Sequence, residues 1–593
     1  MNDVTIKSGY LFEKQELNRR TTIYAVYDRF NDSGRIEAFD FDWTPDKSAD
    51  KKPHFFWDSD VAKWIEGAAY IIKKHPSPDL EAKVDAIVEK IKQHQEENGY
   101  FNIYFTVCEP QNRFSNRLLH ELYCAGHLIE AAIAYSDATG KNDLLVCMEK
   151  YAEHIYDVFA VKKSAQFSTP GHEEIELALL RLYAYTHKKL YLELAEYFLN
   201  ARGVADEKTL AEHDQSHKPI REQHDAVGHS VRAMYLYTAM AMLSREHPED
   251  DELLNACKML WHDTVRRKMY VTGGLGSTSI GESFTVPYDL PNDQAYTETC
   301  AGIGLIFFSN AMSALENDAK YADAIERALY NGVLSGLSLD GKAFFYENPL
   351  EINLGERFKN SHGERRFPAA QRSESFWCSC CPPNINRLLA SIGNYIYAMD
   401  KDVLFINQFV SSELCTNEVK CTLTTDYPVG DTVAVRAEGA EWLAIRIPEW
   451  CDKFEISKPY EMQNGYAIVR NDGEVTVRFD MSPRLVYADP RVRFNAGKAC
   501  IMRGPIVYCA EAVDNGGELS SCVIPREPCF DVVSETPYGL PTIEMKCKKR
   551  EHFDGMLYSH RPPLLSDAKL TLIPYNCFAN RGECDMAVWF SAE

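Results

Sequence analysis

Three cysteines fall within four residues of this chain, at Cys378, Cys380 and Cys381, and Pro382 and Pro383 follow directly. Buried thiols packed side by side gain little over alanine or valine, and the two prolines fix the path of the chain that leaves them. Thiolates are soft ligands that suit zinc. Metal binding therefore explains this cluster better than core packing does.

A second segment, about 80 residues earlier, carries carboxylates and one more cysteine. Glu298 and Cys300 flank a single residue, and Glu282 lies 16 residues before Glu298. A carboxylate can complete a tetrahedral site with thiolates, although this spacing differs from that of a zinc finger, which pairs closely spaced cysteines. On spacing alone, a zinc that only braces the fold and free cysteines without a metal both remain open.

The elements that must position these residues are helices in the first two-thirds of the chain. Apolar residues recur at helical spacing, for example at Leu80, Val84, Ile87 and Ile91. About eleven such stretches occur before residue 400, and they show no repeat of the roughly 34–47 residues that marks a helical solenoid. We therefore predict a closed barrel of paired helices.

The pattern changes near residue 401, where apolar and polar residues alternate between Gly, Pro and Asp turns. Such alternation is typical of antiparallel strands with one solvated face. We expect a mainly α fold with β, in three parts. An N-terminal segment, 1–18, adds a strand to a sandwich or packs on the barrel; the barrel spans 19–400; a β-sandwich region of one or two small domains spans 401–593.

Charge and composition exclude several classes of protein. The 593 residues include 64 Lys and Arg against 87 Asp and Glu, which gives a formal net charge of −23. An acidic surface repels phosphate backbones and anionic lipid, so nucleic acid and membranes are poor candidate partners. The first 20 residues are charged and lack the apolar core of a signal peptide. We therefore expect a cytoplasmic protein whose cysteines stay reduced.

A series of segments, all in one order, resembles glycoside hydrolase family 127, whose type activity is β-L-arabinofuranosidase. The resemblance runs over most of the chain, and no single segment would carry it alone. The segments include TPGHEEIELALLRLY (169–183), HDAVGHSVRAMYLY (224–237), GESF (281–284), YTETCA (296–301), FFYENPL (344–350), CCPPN (380–384) and IPYNCFANRG (573–582).

The resemblance implies an (α/α)6 barrel followed by β-sandwich domains, and it assigns the chemistry residue by residue. It implies zinc (Zn2+) held by Glu298, Cys300, Cys380 and Cys381, with Cys380 as the nucleophile and Glu282 as the acid/base. The implied reaction is retaining exo-hydrolysis of β-linked L-arabinofuranosides. An acid that is protonated at rest needs a raised pKa, so the role requires one for Glu282.

Three histidines and one tyrosine in matching segments are candidates to bind the sugar. The resemblance implies that His120, His172 and His229 contact sugar hydroxyls, and that Tyr346 hydrogen-bonds the nucleophile or the substrate. A structural role in the core or at a helix cap is the alternative for each of them. Whether Cys378 takes part stays open.

Two other functions are compatible with these residues. A related glycosidase would act on another furanose-like sugar, such as aceric acid in pectin side chains, and an Arg or Lys facing the sugar would favour that acidic substrate. A non-catalytic carbohydrate-binding protein would use its zinc only as a brace, but it would have no need of Glu282. The expected partner is an oligosaccharide or glycoside. Family members often dimerise through their β-domains, so a homodimer is a further expectation.

Overall fold

The computed structural model describes residues 4–46, 51–204, 211–355 and 367–593. A short helix, Tyr10–Leu17, precedes twelve helices that form a barrel. In chain order these are α1 (Ile23–Asp32), α2 (Trp57–Lys74), α3 (Pro78–His94), α4 (Glu121–Thr139), α5 (Asp143–Tyr156), α6 (Ile175–Thr186), α7 (Lys189–Ala201), α8 (Ser230–Glu246), α9 (Asp251–Asp263), α10 (Thr299–Ser313), α11 (Ala319–Arg327) and α12 (Cys381–Ala390).

The twelve helices form two concentric layers. Each even-numbered helix contacts the next even-numbered one, and α12 returns to contact α2, so the inner ring is closed. Each odd-numbered helix packs outside against a neighbouring inner helix. This is an (α/α)6 barrel, and the fold class predicted from the sequence is confirmed.

The inner and outer helices differ in how many of their faces are buried. Inner helix α4 is buried on all sides, including its polar residues, whereas outer helix α3 buries one apolar stripe and exposes charged residues. Gly126 lets α4 approach the chain that leads into α6, because a Cβ there would lie 2.6 Å from Cγ of Glu174.

The remaining chain is mostly antiparallel sheet. The strands are β1 (Val4–Ile6), β2 (Glu351–Ile352), β3 (Tyr397–Asp400), β4 (Val403–Ile406), β5 (Ser412–Cys415), β6 (Lys420–Thr425), β7 (Thr432–Glu438), β8 (Trp442–Arg446), β9 (Phe454–Ile456), β10 (Tyr460–Gln463), β11 (Tyr466–Arg470), β12 (Val475–Phe479), β13 (Arg484–Val486), β14 (Lys498–Arg503), β15 (Ile506–Glu511), β16 (Cys522–Ile524), β17 (Phe530–Val533), β18 (Thr542–Arg550), β19 (Leu565–Pro574), β20 (Met586–Ala587) and β21 (Phe590–Ala592).

Two sheets form a sandwich after the barrel, with strand orders β1-β5-β6-β7-β12-β9 and β10-β11-β8-β4-β3. Strand β1 reaches this sandwich from the N-terminus and pairs with β5, Val4 opposite Leu414. In the last part of the chain, β14-β21-β16-β18-β19-β15 close into a ring, because β14 also pairs with β15. Strand β2 belongs to the barrel region and pairs with β20, so it connects this ring to the barrel.

Helix α12 is fixed in the barrel by a buried ionic network. Arg387, 2% exposed, contacts Glu66 of α2 at 2.8 Å and Glu130 of α4 at 2.7 Å. Its Nε also donates to Asn384 on α12. Arg181 of α6 contacts the same two carboxylates. This network therefore joins four inner helices, α2, α4, α6 and α12.

In the described residues, no helix has both the length and the apolar character needed to cross a membrane.

We expect Arg387→Leu to destabilise the protein by about 3–5 kcal/mol, because Arg181 alone would then face two buried carboxylates. The measurement is the urea midpoint of unfolding. Arg478→Leu is the matched control, because Arg478 pairs with Asp431 on the exposed surface of the sandwich, and its midpoint should stay near that of the wild type. Equal midpoints for the two variants would contradict the role given to this network.

Candidate active site

The starts of the inner helices converge on one cavity of about 260 Å3. Five of the residues that line this cavity are N-cap residues, namely Phe56, His120, His229, Glu298 and Cys380. The sixth inner helix, α6, contributes His172, two residues before its own N-cap. Helix N-termini carry a partial positive charge, so this end of the barrel favours anionic groups.

Four potential metal ligands lie together at the starts of α10 and α12. Sγ of Cys300 is 3.7 Å from Sγ of Cys380 and 3.4 Å from Sγ of Cys381, and the last two sulfurs are 3.8 Å apart. Oε1 of Glu298 is 3.7 Å from the Cys380 sulfur and 3.8 Å from the Cys381 sulfur. These residues can hold one metal ion.

The geometry of the cluster fits a cation. Metal–sulfur bonds of about 2.3 Å in a tetrahedral site place the sulfurs about 3.8 Å apart. Oε2 of Glu298 is buried and has no hydrogen-bond partner among the described residues. Burial raises the pKa of Glu298 and of Cys381. Burial also acts to raise the pKa of Cys300, but hydrogen bonds with Cys380 and Cys381 lower it to about 6.

Glu282 comes from the long connection between α9 and α10. A short turn presents it, because Ser277 N–H donates to the carbonyl of Ser283 and Phe284 N–H donates to the carbonyl of Gly228. These bonds place His229, which follows Gly228, beside the carboxyl group of Glu282. Backbone φ is positive at Glu282 (55°), and a backbone held in this region costs about 1–3 kcal/mol.

The hydrogen bonds around Glu282 fix its charge. Val231 N–H donates to Nδ1 of His229, so the ring proton is on Nε2, which donates to Oε2 of Glu282 at 2.8 Å. The hydroxyl of Tyr296 donates to Oε1. Burial acts to raise the pKa of Glu282, but hydrogen bonds from His229 and Tyr296 outweigh it and lower this pKa to about 2. The carboxyl group is therefore ionised in the free protein, opposite to the raised pKa that an acid role requires.

His120 and His172 present hydrogen-bond acceptors to the cavity. Nδ1 of His120 bonds to the carbonyl of Leu118 at 2.9 Å, and Nδ1 of His172 bonds to the carbonyl of Glu173 at 3.1 Å. A carbonyl only accepts, so both rings carry their proton on Nδ1 and leave Nε2 as an acceptor. Burial lowers the pKa of His120 to about 3 and also lowers that of His172, so both rings are neutral.

Tyr346 lies between the metal-binding cluster and the cavity. Thr299 N–H donates to the carbonyl of Tyr346, which fixes this segment beside the start of α10. The Tyr346 hydroxyl is 3.5 Å from the sulfur of Cys380 and 3.9 Å from that of Cys378. Cys378 also lines the cavity but lies outside the group of four ligands.

The structure brings together every residue that the sequence indicated as a site residue. All of them line the cavity except Cys381, which is fully buried behind it. The carboxyl groups of Glu282 and Glu298 fall within 4.8 Å of each other, so the Glu282 group and the cysteine cluster are adjacent.

Residues 3–394 match the family described as β-L-arabinofuranosidase, glycoside hydrolase family 127 catalytic domain, and residues 483–591 match the C-terminal domain of the same family. The chain belongs to glycoside hydrolase family 127. It is therefore a glycoside hydrolase, and its substrate is a glycoside.

Relatives support the assignment to family 127 along the whole chain. A non-reducing end β-L-arabinofuranosidase from Bifidobacterium longum is 36% identical, over 90% of this chain and 89% of its own length. The crystal structure of a family 127 β-L-arabinofuranosidase from Geobacillus stearothermophilus has 39% identity and a TM-score of 0.94, with 100% of both chains covered. A third protein, a family 127 β-arabinofuranosidase, has 32% identity and a TM-score of 0.90, covering 100% of this chain and 97% of its own.

Three further residues of this family 127 site were missed in the sequence. Tyr296 is two residues before Glu298. In an extended segment, residues two apart point to the same side, so this spacing was the signal that could have placed Tyr296 near the site. Arg232 is three residues after His229, on the same face of α8, and it lines the cavity. Trp377 also lines the cavity, but an isolated tryptophan beside the cysteine motif gives no signal of its position.

We expect protein purified under reducing conditions to hold about one metal ion per chain, and Cys300→Ala to lose most of it, because a tetrahedral site needs all four ligands. Metal content is measured by elemental analysis. Cys257→Ala is the control, since Cys257 is a fully buried thiol of α9 outside the cluster. A folded Cys300→Ala variant with unchanged metal content would refute the assignment of these ligands.

Proposed function

We propose that this family 127 enzyme is a zinc-dependent retaining exo-β-L-arabinofuranosidase. The observation that carries the proposal is the position of Cys380, which belongs to the group of four ligands and lines the same cavity as Glu282. Two of the similar proteins are β-L-arabinofuranosidases by name. A cavity of about 260 Å3 is below the roughly 300–1,000 Å3 typical of drug-sized ligands, which suits release of a single terminal sugar.

Glu298, Cys300, Cys380 and Cys381 are the proposed zinc ligands. Three sulfurs and one carboxylate oxygen form a donor set that suits zinc better than the oxygen-seeking ions magnesium and calcium. Zinc bound there would keep the thiol groups deprotonated near neutral pH.

Cys380 is the proposed nucleophile and Glu282 the proposed acid/base. In the first step, the sulfur of Cys380 forms a bond to C1 of the sugar while the bond from C1 to the leaving oxygen breaks, and Glu282 gives its proton to that oxygen. In the second step, Glu282 takes a proton from water, the water oxygen bonds to C1, and the C1–sulfur bond breaks. Thiolate and protonated carboxyl are both regenerated, and the anomeric configuration is retained.

Glu282 must gain its proton when the substrate enters, because its pKa is about 2 in the free protein. His229 is both a donor to this carboxylate and a cavity residue that a sugar hydroxyl can engage. When the His229 proton turns to the substrate, the carboxylate loses a donor, and exclusion of water by the sugar raises its pKa. Proton uptake with substrate binding is therefore part of the proposal.

The neutral histidines are proposed to orient the sugar. Nε2 of His120 and of His172 can each accept a hydrogen bond from a sugar hydroxyl, and their rings lie 5.4 Å apart, close enough to engage neighbouring hydroxyls of one ring. Tyr346 would keep the Cys380 sulfur in place through its hydroxyl.

Arg232 favours a second candidate substrate, an acidic furanose-like sugar such as aceric acid. Its side chain lines the cavity, and its Nε has no hydrogen-bond partner among the described residues. However, Nη1 donates to the carbonyl of Gly171 at 2.6 Å, and the carboxylate of Glu282 already offsets its charge in the cavity. The neutral arabinofuranoside remains the first choice.

We expect wild-type protein to hydrolyse 4-nitrophenyl β-L-arabinofuranoside and Cys380→Ala to lose detectable activity, since no other group would attack C1. Glu282→Gln should lower kcat by about 10²–10⁴-fold on a substrate with an unactivated leaving group, and less on the nitrophenyl substrate, whose leaving group needs little protonation. The measurement is release of nitrophenol and of free arabinose.

Cys257→Ala serves as the control for the loss of one buried thiol, and it should keep wild-type rates. Activity that survives Cys380→Ala would end the thiolate mechanism. Hydrolysis of a carboxylate-bearing furanoside but not of the arabinofuranoside would replace the first substrate by the second.

Tyr296→Phe should shift the alkaline limb of the kcat profile, which reports ionisation in the substrate complex, to higher pH by about one unit. The lost hydroxyl no longer stabilises the carboxylate of Glu282, so the pKa rises and the acid form persists to higher pH. Tyr151→Phe, at a buried hydroxyl without a hydrogen-bond partner among the described residues, should leave the profile unchanged. A limb that moves to lower pH in Tyr296→Phe would contradict the acid role of Glu282.

A further inference from the structure

One side chain differs from all the others that line the cavity. Trp377 is 74% exposed, whereas the remaining lining residues are buried or half-buried. Single exposed apolar side chains are common and carry no meaning by themselves. Tyr558 is 85% exposed without lining this cavity, for example. The position of Trp377 at the mouth of the cavity is therefore the informative feature.

The backbone at Trp377 is held firmly although its side chain faces solvent. Nη2 of Arg35 donates to the carbonyl of Trp377 at 2.9 Å, and Nε of the same guanidinium contacts Asp60 at 3.0 Å. Arg35 and Asp60 are both buried, and Asp60 lines the cavity. The tryptophan is therefore fixed relative to the cavity wall.

Two aromatic rings orient the indole. The ring of His54 lies 4.6 Å from that of Trp377 at 79°, and the ring of Phe56 lies 5.5 Å away at 88°. These nearly perpendicular contacts fix the ring while most of its surface stays exposed. The indole N–H has no hydrogen-bond partner among the described residues and is free to donate to a ligand hydroxyl.

The leaving group of a bound glycoside must lie on this side of the cavity. Glu298 and Cys300 form the buried end, each 2% exposed, so the sugar that reacts at Cys380 occupies that end. The Glu282 carboxyl group, 35% exposed, lies toward solvent, as a group that protonates the leaving oxygen must. Beyond that oxygen, the leaving group meets the open side of the cavity, where Trp377 is the most exposed of the described lining residues.

We propose that Trp377 forms the binding subsite for the leaving group, and that this leaving group is a sugar ring whose apolar C–H face stacks on the indole. The inference rests on the proposed function and extends it from the released sugar to the residue next to it. Aromatic side chains offer a large rigid surface at low entropic cost, and binding energy from a non-reacting part of the substrate can be used in the transition state. A methyl leaving group would gain nothing from this surface.

The test compares kcat/KM for a β-L-arabinofuranosyl disaccharide with kcat/KM for methyl β-L-arabinofuranoside. We expect the ratio of the two constants to fall about tenfold in Trp377→Ala and by less in Trp377→Phe, which keeps a smaller ring. Tyr558→Ala removes an equally exposed aromatic ring elsewhere and should keep the wild-type ratio. Trp377 is mostly exposed, so these variants should fold, as circular dichroism will verify.

The outcomes separate the subsite from the proposed function. Wild-type protein that cleaves neither furanoside refutes the proposed function. Wild-type activity with the same loss on both substrates in Trp377→Ala, or with no loss on either, refutes the subsite alone. A third substrate, the 4-nitrophenyl furanoside, identifies the chemistry: a loss on this aryl substrate without a loss on the disaccharide would mean that the indole stacks on aromatic rings and not on sugars.

Discussion

The site depends on one constraint, which is that all six inner helices of the barrel begin around the same cavity. An N-cap residue is the last residue before helical geometry begins, and its side chain is free to serve the cavity. Here those positions hold His120, His229, Glu298 and Cys380. The same convergence directs six helix N-termini at the cavity, and their partial positive charges favour anionic groups there. The arrangement of the inner helices therefore determines both the barrel and the positions of the site residues.

Buried ion pairs between the inner helices hold the starts of these helices at fixed positions relative to one another. Arg387 and Arg181 contact Glu66 and Glu130 across four inner helices, at positions where an unpaired charge would be costly. Arg387 is on α12, within two turns of Cys380, so the network sets where the cysteine pair sits relative to α2 and α4. A small displacement of α12 would change the distances among the sulfurs, and a four-ligand site tolerates little change.

Much of the fold and the site could be predicted from the sequence, for identifiable reasons. Long helices with regular apolar spacing, such as α3, were visible, and the clustered cysteines with the ordered family segments indicated the ligands and Glu282. Helix α1 was not predicted, and neither was the closed ring of strands at the end of the chain. The ring forms by pairing between distant segments, as between β14 and β21 or β15 and β19. Tyr296 and Arg232 were missed although their spacing from Glu298 and His229 was a signal, whereas nothing local distinguishes Trp377 from other surface residues.

The charge state of Glu282 is where the three-dimensional structure adds most. The sequence indicates a carboxyl group near a thiolate, and an acid role then requires a raised pKa. The folded protein instead surrounds the carboxylate with donors from His229 and Tyr296, which favour its ionised form. In the proposed mechanism, an ionised carboxylate is the state that activates water in the second step, so the hydrogen bonds of the free protein favour the state which that step would use. The proposed first step would need the protonated state, and a bound substrate would favour it by engaging His229 and excluding water. Coupling of protonation to binding would restrict acid catalysis to cavities already filled by a sugar.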